Sequence, residues 1–156
     1  MAAEPREKAG QAMNRDRRAA VVGFTEWAPQ RKWPEPMFTL EAFARLSKEA
    51  LEDAGMELGE VDGILTTSPV PESRMFAPSA VAEYLGIPSS YGEIVDLGGA
   101  SGAGMLWRAV QAIESVRADA ALCCAELIAC PGPDGRCVCI EPEPGGAASS
   151  SSHLRS

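Results

Sequence analysis

Apolar positions along the middle of the chain recur at two different spacings. Residues 19–24 (AAVVGF) form a short apolar run that ends at a polar turn, which predicts a buried strand. Phe43, Leu46, Ala50, Leu51 and Ala54 then fall three and four apart, the period of a helix burying one stripe. Thr39 is placed to cap that helix, Glu41 favours its positive end, and Gly55 stands where a left-handed residue would stop it. Residues 61–67 (VDGILTT) read as a second strand, closed by Ser68 and Pro69. Pro78 fits the first turn of a short helix, SAVAEYLG, with Gly86 at its end and Pro88 beyond. Residues 93–97 (EIVDL) predict a third strand. Residues 101–116 predict a helix with Met105, Leu106, Ala109, Val110, Ile113 and Val116 on one stripe. Residues 119–125 (DAALCCA) complete the series as a fourth strand. The order β-α-β-α-β-α-β implies a layered α/β domain with a mainly parallel sheet and right-handed crossovers.

Composition limits what such a domain can do. The 156 residues suit one domain, and their ordinary apolar content argues against wholesale disorder. A net charge of −8 argues against non-specific binding to nucleic acid or to an anionic membrane. No apolar run approaches the roughly 18–20 residues of a membrane span, and the charged first twenty residues lack a secretory h-region, so a cytoplasmic location is expected. All five cysteines fall between Cys123 and Cys139, which is too local for a disulfide framework. The chain divides into a polar arm (1–18), the domain (19–126) and a Pro-, Gly-, Ser- and Cys-rich tail (127–156) expected to be irregular.

The segment richest in chemical information is DLGGASGAG, from Asp96 to Gly104, between the third strand and the apolar-striped helix. Ligands of open α/β sheets sit outside the carboxyl ends of strands, beside helix N-termini. The dinucleotide pattern GxGxxG fits at no register, and no GK[ST] follows to make a P-loop. The nucleophile elbow GxSxG would need Gly where Ala103 stands, and the only histidine is His153 in the tail, so a serine-hydrolase triad is disfavoured. Ser101 reads as a cap or packing serine, with a nucleophile as the alternative. Asp96 reads as a turn-forming carboxylate, with a base or water-holder as the alternative. Gly98, Gly99, Gly102 and Gly104 allow close backbone approach and tight helix packing.

The remaining candidates are weaker. Cys123 and Cys124 end a buried strand and read as small core residues. Cys130, Cys137 and Cys139 lack the paired CxxC spacing of a zinc site, so no metal is expected. Arg31, Lys32, Arg74 and Arg108 are scattered basic residues that could meet phosphates.

Four segments together resemble the thiolase superfamily: AAVVGFTEWAP, SKEALEDAGMELGEVDGILTTS, VAEYLGI and VDLGGASGAGMLWRAVQAIESVRADAALCCAE. The likeness spans residues 19–126 and is nearest to lipid-transfer or sterol-carrier thiolase-like proteins. In that family the turn reads Asn-x-x-Cys-Ala-Ser-Gly, and the cysteine takes the acyl group from coenzyme A. Matching Ala100, Ser101 and Gly102 to the end of that motif puts Gly99 at the cysteine and Asp96 at the asparagine. Glycine carries no acyl group, so the resemblance leaves this site without a catalytic residue. It implies family-level acyl transfer or retro-aldol cleavage of acyl-CoA adducts in lipid or sterol side-chain metabolism. It also implies a coenzyme A thioester as substrate with no bound cofactor, a homodimer, and a small OB-fold partner subunit. The alternative is a non-catalytic acyl-CoA binding or interaction module of the same fold. Family members consist of two similar halves, so the chain is expected to be an incomplete, inactive N-terminal portion. Its tail has the look of a GC-rich frame decoded out of phase, which leads us to expect a frameshift or a wrongly assigned end after Glu126.

Overall fold

The three-and-four spacing of residues 39–54 decides which side of the chain turns inward. The computed structural model describes residues 17–28, 37–68, 76–129 and 132–142. It forms helix α1 at Thr39–Ala54, with Phe43, Leu46, Ala50 and Leu51 buried on one side. Glu41 lies in the first turn and pairs with Arg45 one turn later at 2.6 Å. Gly55 ends the helix at φ 67°, where its own N–H and that of Met56 return to the carbonyls of Glu52 and Leu51. The expected cap shifts by one residue. Phe38 is the N-cap, with extended backbone and no side-chain oxygen to offer, and Thr39 is already helical and buried.

The other elements are β1 (Ala19–Glu26), β2 (Gly63–Thr66), α2 (Ala77–Leu85), β3 (Tyr91–Ile94), α3 (Ser101–Glu114), β4 (Ala121–Ala129) and β5 (Gly132–Pro142). Pro78 opens α2 and Gly86 closes it at φ 73°, as the sequence predicts. Strand β3 begins two residues earlier than expected. The N–H groups of Ser90 and Tyr91 both reach the Asp62 carbonyl (2.8 and 3.1 Å), so pairing with β2 starts there. The chain leaves the sheet after Val95 N–H bonds Thr66 at 2.9 Å. Helix α3 stops before Val116, which was expected on its apolar stripe. Val116 instead sits at φ 59°, donating to Ile113, while Arg117 donates to Ala112. A β-branched residue in that left-handed region is strained.

The sheet order is β1-β5-β4-β2-β3. β2 pairs in parallel with β3 and β4, and β5 runs antiparallel to both β1 and β4. Four strands therefore point one way, as a mainly parallel sheet requires, and β5 alone points back. This corrects the expectation for the tail: β4 runs on to Ala129, and residues 132–142 are the strand that joins β1 to the rest. Proline and glycine at 132, 133 and 135 hid it from a reading based on breakers. The apolar signal is confined to residues 137–140, which alternate between the two faces of the sheet. Cys137 and Cys139 enter one core and Val138 and Ile140 the other.

Helices α1 and α2 cover one face and α3 the other. Gly23 lets β1 approach α1. A Cβ there would stand 2.2 Å from the Ala50 carbonyl oxygen and 2.8 Å from the Ala54 Cβ, and the strand bulges just before it. At the amino end of the parallel strands, Asp62 Oδ1 accepts the N–H groups of Asp119 (2.7 Å) and Ala120 (3.2 Å). Arg17, assigned to the arm by composition, pairs with Asp119 at 2.9 Å.

Candidate functional site

Strands β1 to β4 share a direction, so their carboxyl ends share an edge, and the glycine-rich segment leaves β3 at that edge. Leu97, Gly98, Gly99 and Ala100 make one 3-10 turn that runs directly into α3. Gly98 adopts φ 58°, the conformation that needs glycine here. Ser101 is buried and closes the turn. Its Oγ accepts the Leu97 N–H at 2.9 Å and donates to the Gly98 carbonyl at 2.7 Å. A hydroxyl so engaged acts as a structural clasp rather than as the helix cap, a position that Ala100 takes. The Gly98 N–H points to Asp96 Oδ1 at 3.4 Å, a long contact of the turn-forming kind.

Gly99 and Gly102 have nothing within 4 Å of a built Cβ, so both face open space. Gly104 differs: a Cβ there would meet Leu97 Cδ1 at 2.6 Å and Val95 Cγ1 at 3.1 Å. Close packing of α3 against the strand end is thus the business of Gly104, whereas Gly99 is solvent-facing by position. A helix N-terminus at such an edge is a place suited to an anion or a developing oxyanion. Leu97 is 60% exposed beside it, an apolar rim to an otherwise polar mouth.

None of the other sequence candidates that lie among the described residues is gathered here. Arg108 lies two helical turns from Ser101, about 10 Å along the axis. It bonds Glu93 at 3.4 Å and stacks on Trp107 at 5.1 Å. Arg31, Lys32, Arg74, Cys130 and His153 lie outside the described residues. A depression lined by Ser79, Ser89, Ser90 and Gly92 is at the amino end of β3, opposite the turn. Among the described residues no three histidines, cysteines or carboxylates converge as metal ligands, and no helix is long and apolar enough to cross a membrane.

The four described cysteines sit inside the sheet. Cys123 reaches the α3 side, where its Sγ lies 3.8 Å from the Met105 carbonyl. Cys124 and Cys137 lie together on the α1 side, with Ser47 Oγ 3.3 Å from Cys124 Sγ. Burial pushes the thiols of Cys123 and Cys137 well up, and that of Cys139 to about 12. None of these three is poised as a thiolate. Sequence reasoning placed Cys123 and Cys124 correctly in the core but missed the partnership with Cys137, because it depends on a strand it did not expect. The alternation of CVCI within residues 137–140 was the available signal.

No protein-family model matches the chain, and no curated protein matches it in sequence. Its fold matches solved structures throughout most of its length. A Cys-to-Ser variant of Xanthomonas campestris OleA with bound lauric acid and lauroyl-CoA superposes with a TM-score of 0.69 at 12% identity, over 80% of this chain and 56% of that one. The priming β-ketosynthase of the R1128 polyketide biosynthetic pathway superposes with a TM-score of 0.68 at 19% identity, over 87% of this chain and 53% of that one. The chain therefore has a thiolase-like α/β fold and spans about half the length of these structures.

Proposed function

We propose that this chain is the N-terminal part of a thiolase-like protein that handles acyl-CoA thioesters in lipid or sterol side-chain metabolism. The observation that carries this reading is the exposed glycine turn at the carboxyl edge of the sheet, held by Ser101 at the start of α3. Helix N-terminal N–H groups at such an edge suit a thioester oxygen, and the Leu97 rim suits an acyl chain. One of the matched structures holds lauroyl-CoA, which supports the choice of ligand class.

Acyl transfer through a covalent enzyme thioester is not open to this turn, because Gly99 has no side chain and Ser101 spends its hydroxyl on the turn itself. What remains is cleavage of an acyl-CoA adduct by groups outside the described residues, or binding without chemistry. The bare Gly99 favours the second reading, a non-catalytic acyl-CoA module acting with a second copy or a small OB-fold subunit.

Incubation with labelled lauroyl-CoA and with a β-hydroxyacyl-CoA separates these outcomes. Saturable binding without turnover supports the module, and carbon–carbon cleavage supports the retro-aldolase. No binding of either thioester by the chain, alone or with a supplied second half, overturns the acyl-CoA reading.

A further inference from the structure

Register on both sides of β4 fixes how Cys124 faces β5. Thr66 is the residue opposite Cys124 on β2, and Thr67 N–H donates to the Cys124 carbonyl at 3.3 Å. In a strand the N–H and C=O of one residue point to the same side, so the Cys124 backbone bonds toward β2 and away from β5. On β5 the residue directly opposite Cys124 is Cys137. The two thus form a non-hydrogen-bonded antiparallel pair, the class in which Cα atoms stand about 4.5 Å apart and side chains are nearest. That separation lies at the short end of the roughly 4.4–6.8 Å that a disulfide spans. Both thiols are buried in the same cluster beneath α1. No other described cysteine has this relation: Cys139 faces Leu122 and Cys123 faces Val138. The surroundings are polar for a sheet interior, since Ser47 touches Cys124 and the buried Thr66 Oγ1 finds no hydrogen-bond partner among the described residues.

We propose that Cys124 and Cys137 are a cross-strand redox site that closes into a disulfide on exposure to peroxide and staples β5 to β4. The proposal is independent of the acyl-CoA reading. One thiolate attacks a peroxide oxygen and the O–O bond breaks, leaving a sulfenic acid and hydroxide. The second thiolate attacks that sulfur and expels a second hydroxide. Both hydroxides take up the thiol protons, so two thiols and one hydrogen peroxide give one disulfide and two waters. While the sheet is closed, burial keeps both sulfurs out of reach of peroxide. Access comes by local opening from β1, an edge strand that pairs only with β5.

The test oxidises the full chain with hydrogen peroxide in water and in urea below the unfolding transition, then alkylates remaining thiols and digests with trypsin. Cleavage after Arg117 and Arg136 separates residues 118–136 from 137–155. A disulfide-linked pair of these peptides is expected, assigned by fragmentation to Cys124 and Cys137, formed at least about tenfold faster in mild urea and lost with dithiothreitol. Cys139→Ala retains the link and Cys137→Ala abolishes it. Should Cys137→Ala fail to fold, the assignment in the unmodified chain decides the matter alone. A link through Cys123, Cys130 or Cys139 instead, or sulfinic acids at Cys124 and Cys137 with no link, overturns the proposal.

Discussion

The turn at the head of α3 and the thiol row beneath α1 are opposites. The turn has access, backbone donors and an apolar rim, yet its solvent-facing position 99 is glycine. The row has the most nucleophilic side-chain type in proteins three times over, at Cys124, Cys137 and Cys139, and all three thiols are buried. Reactivity needs a group and a path to it, and here the fold keeps the two apart. The contrast also shows that cysteine content says little about chemistry until burial is known, since burial is the largest cause that moves the thiols of Cys123, Cys137 and Cys139 away from the thiolate form.

The contrast can be broken most forcefully from the buried side. Gly23→Ala would drive a methyl into the Ala50 carbonyl at 2.2 Å, and both are backbone-borne, so β1 must move. A loss of about 3 kcal/mol is expected in urea unfolding, at the upper end of overpacking costs. Faster alkylation of Cys137 and Cys139 should accompany it. Unchanged stability would mean β1 does not pack on α1 as described.

From the exposed side, Gly99→Cys supplies the missing group without a clash. Its thiol should react with iodoacetamide at least about a hundredfold faster than Cys124, because it is solvent-facing at a helix N-terminus. Comparable rates would place residue 99 inside the protein. Ser101→Ala should cost about 1–2 kcal/mol by orphaning the Leu97 N–H, with the loss read by thermal denaturation, whereas Ser101→Thr should retain most of the clasp. A neutral Ser101→Ala would remove the clasp from the account of the turn.

Alkaline pH acts on the row rather than on the turn. Burial, then the nearby Glu141 charge, raises the Cys139 thiol from 9.0 to about 12. Burial and the Glu93 hydrogen bond raise Tyr91 from 10.0 to about 12. The folded state holds these protons more tightly than the unfolded chain, so their contribution is complete below pH 9 and is lost as pH rises toward 12. The urea midpoint should fall over that window, and less steeply in Cys139→Ala. A flat profile would mean the thiols are hydrated. The smallest effect expected is from Val116→Gly, which relieves the left-handed valine at φ 59° and should stabilise by about 0.5–1 kcal/mol after the greater freedom of unfolded glycine is offset. A loss of stability there would show that the Val116 side chain contributes more by packing than its backbone costs.

Much of this was legible along the chain. The stripe of α1, the proline and glycine bracketing α2, and the glycine turn into α3 are local features, each set by neighbours within a few residues, and the structure has all three. Gly99 lacks a side chain whatever the fold, whereas the hydrogen bonds that make Ser101 a clasp came only from the structure. The boundary at residue 126 failed because β5 is defined by partners far away: Val138 and Ile140 belong to the α3 core, Cys137 and Cys139 to the α1 core, and proline and glycine nearby read as breakers until a neighbour on each side supplies the hydrogen bonds.

The sequence by itself determined the elements with a period, the acidic surface charge and the absence of a side chain at position 99. Those depend on covalent identity and short-range geometry. Only the tertiary structure decided that β5 lies between β1 and β4, that Gly23 must be bare, and that Cys124 meets Cys137 thirteen positions away, counted from their numbers. Each of these is a contact across the sheet, and a sheet's register is fixed by the burial of both faces at once rather than by any one segment.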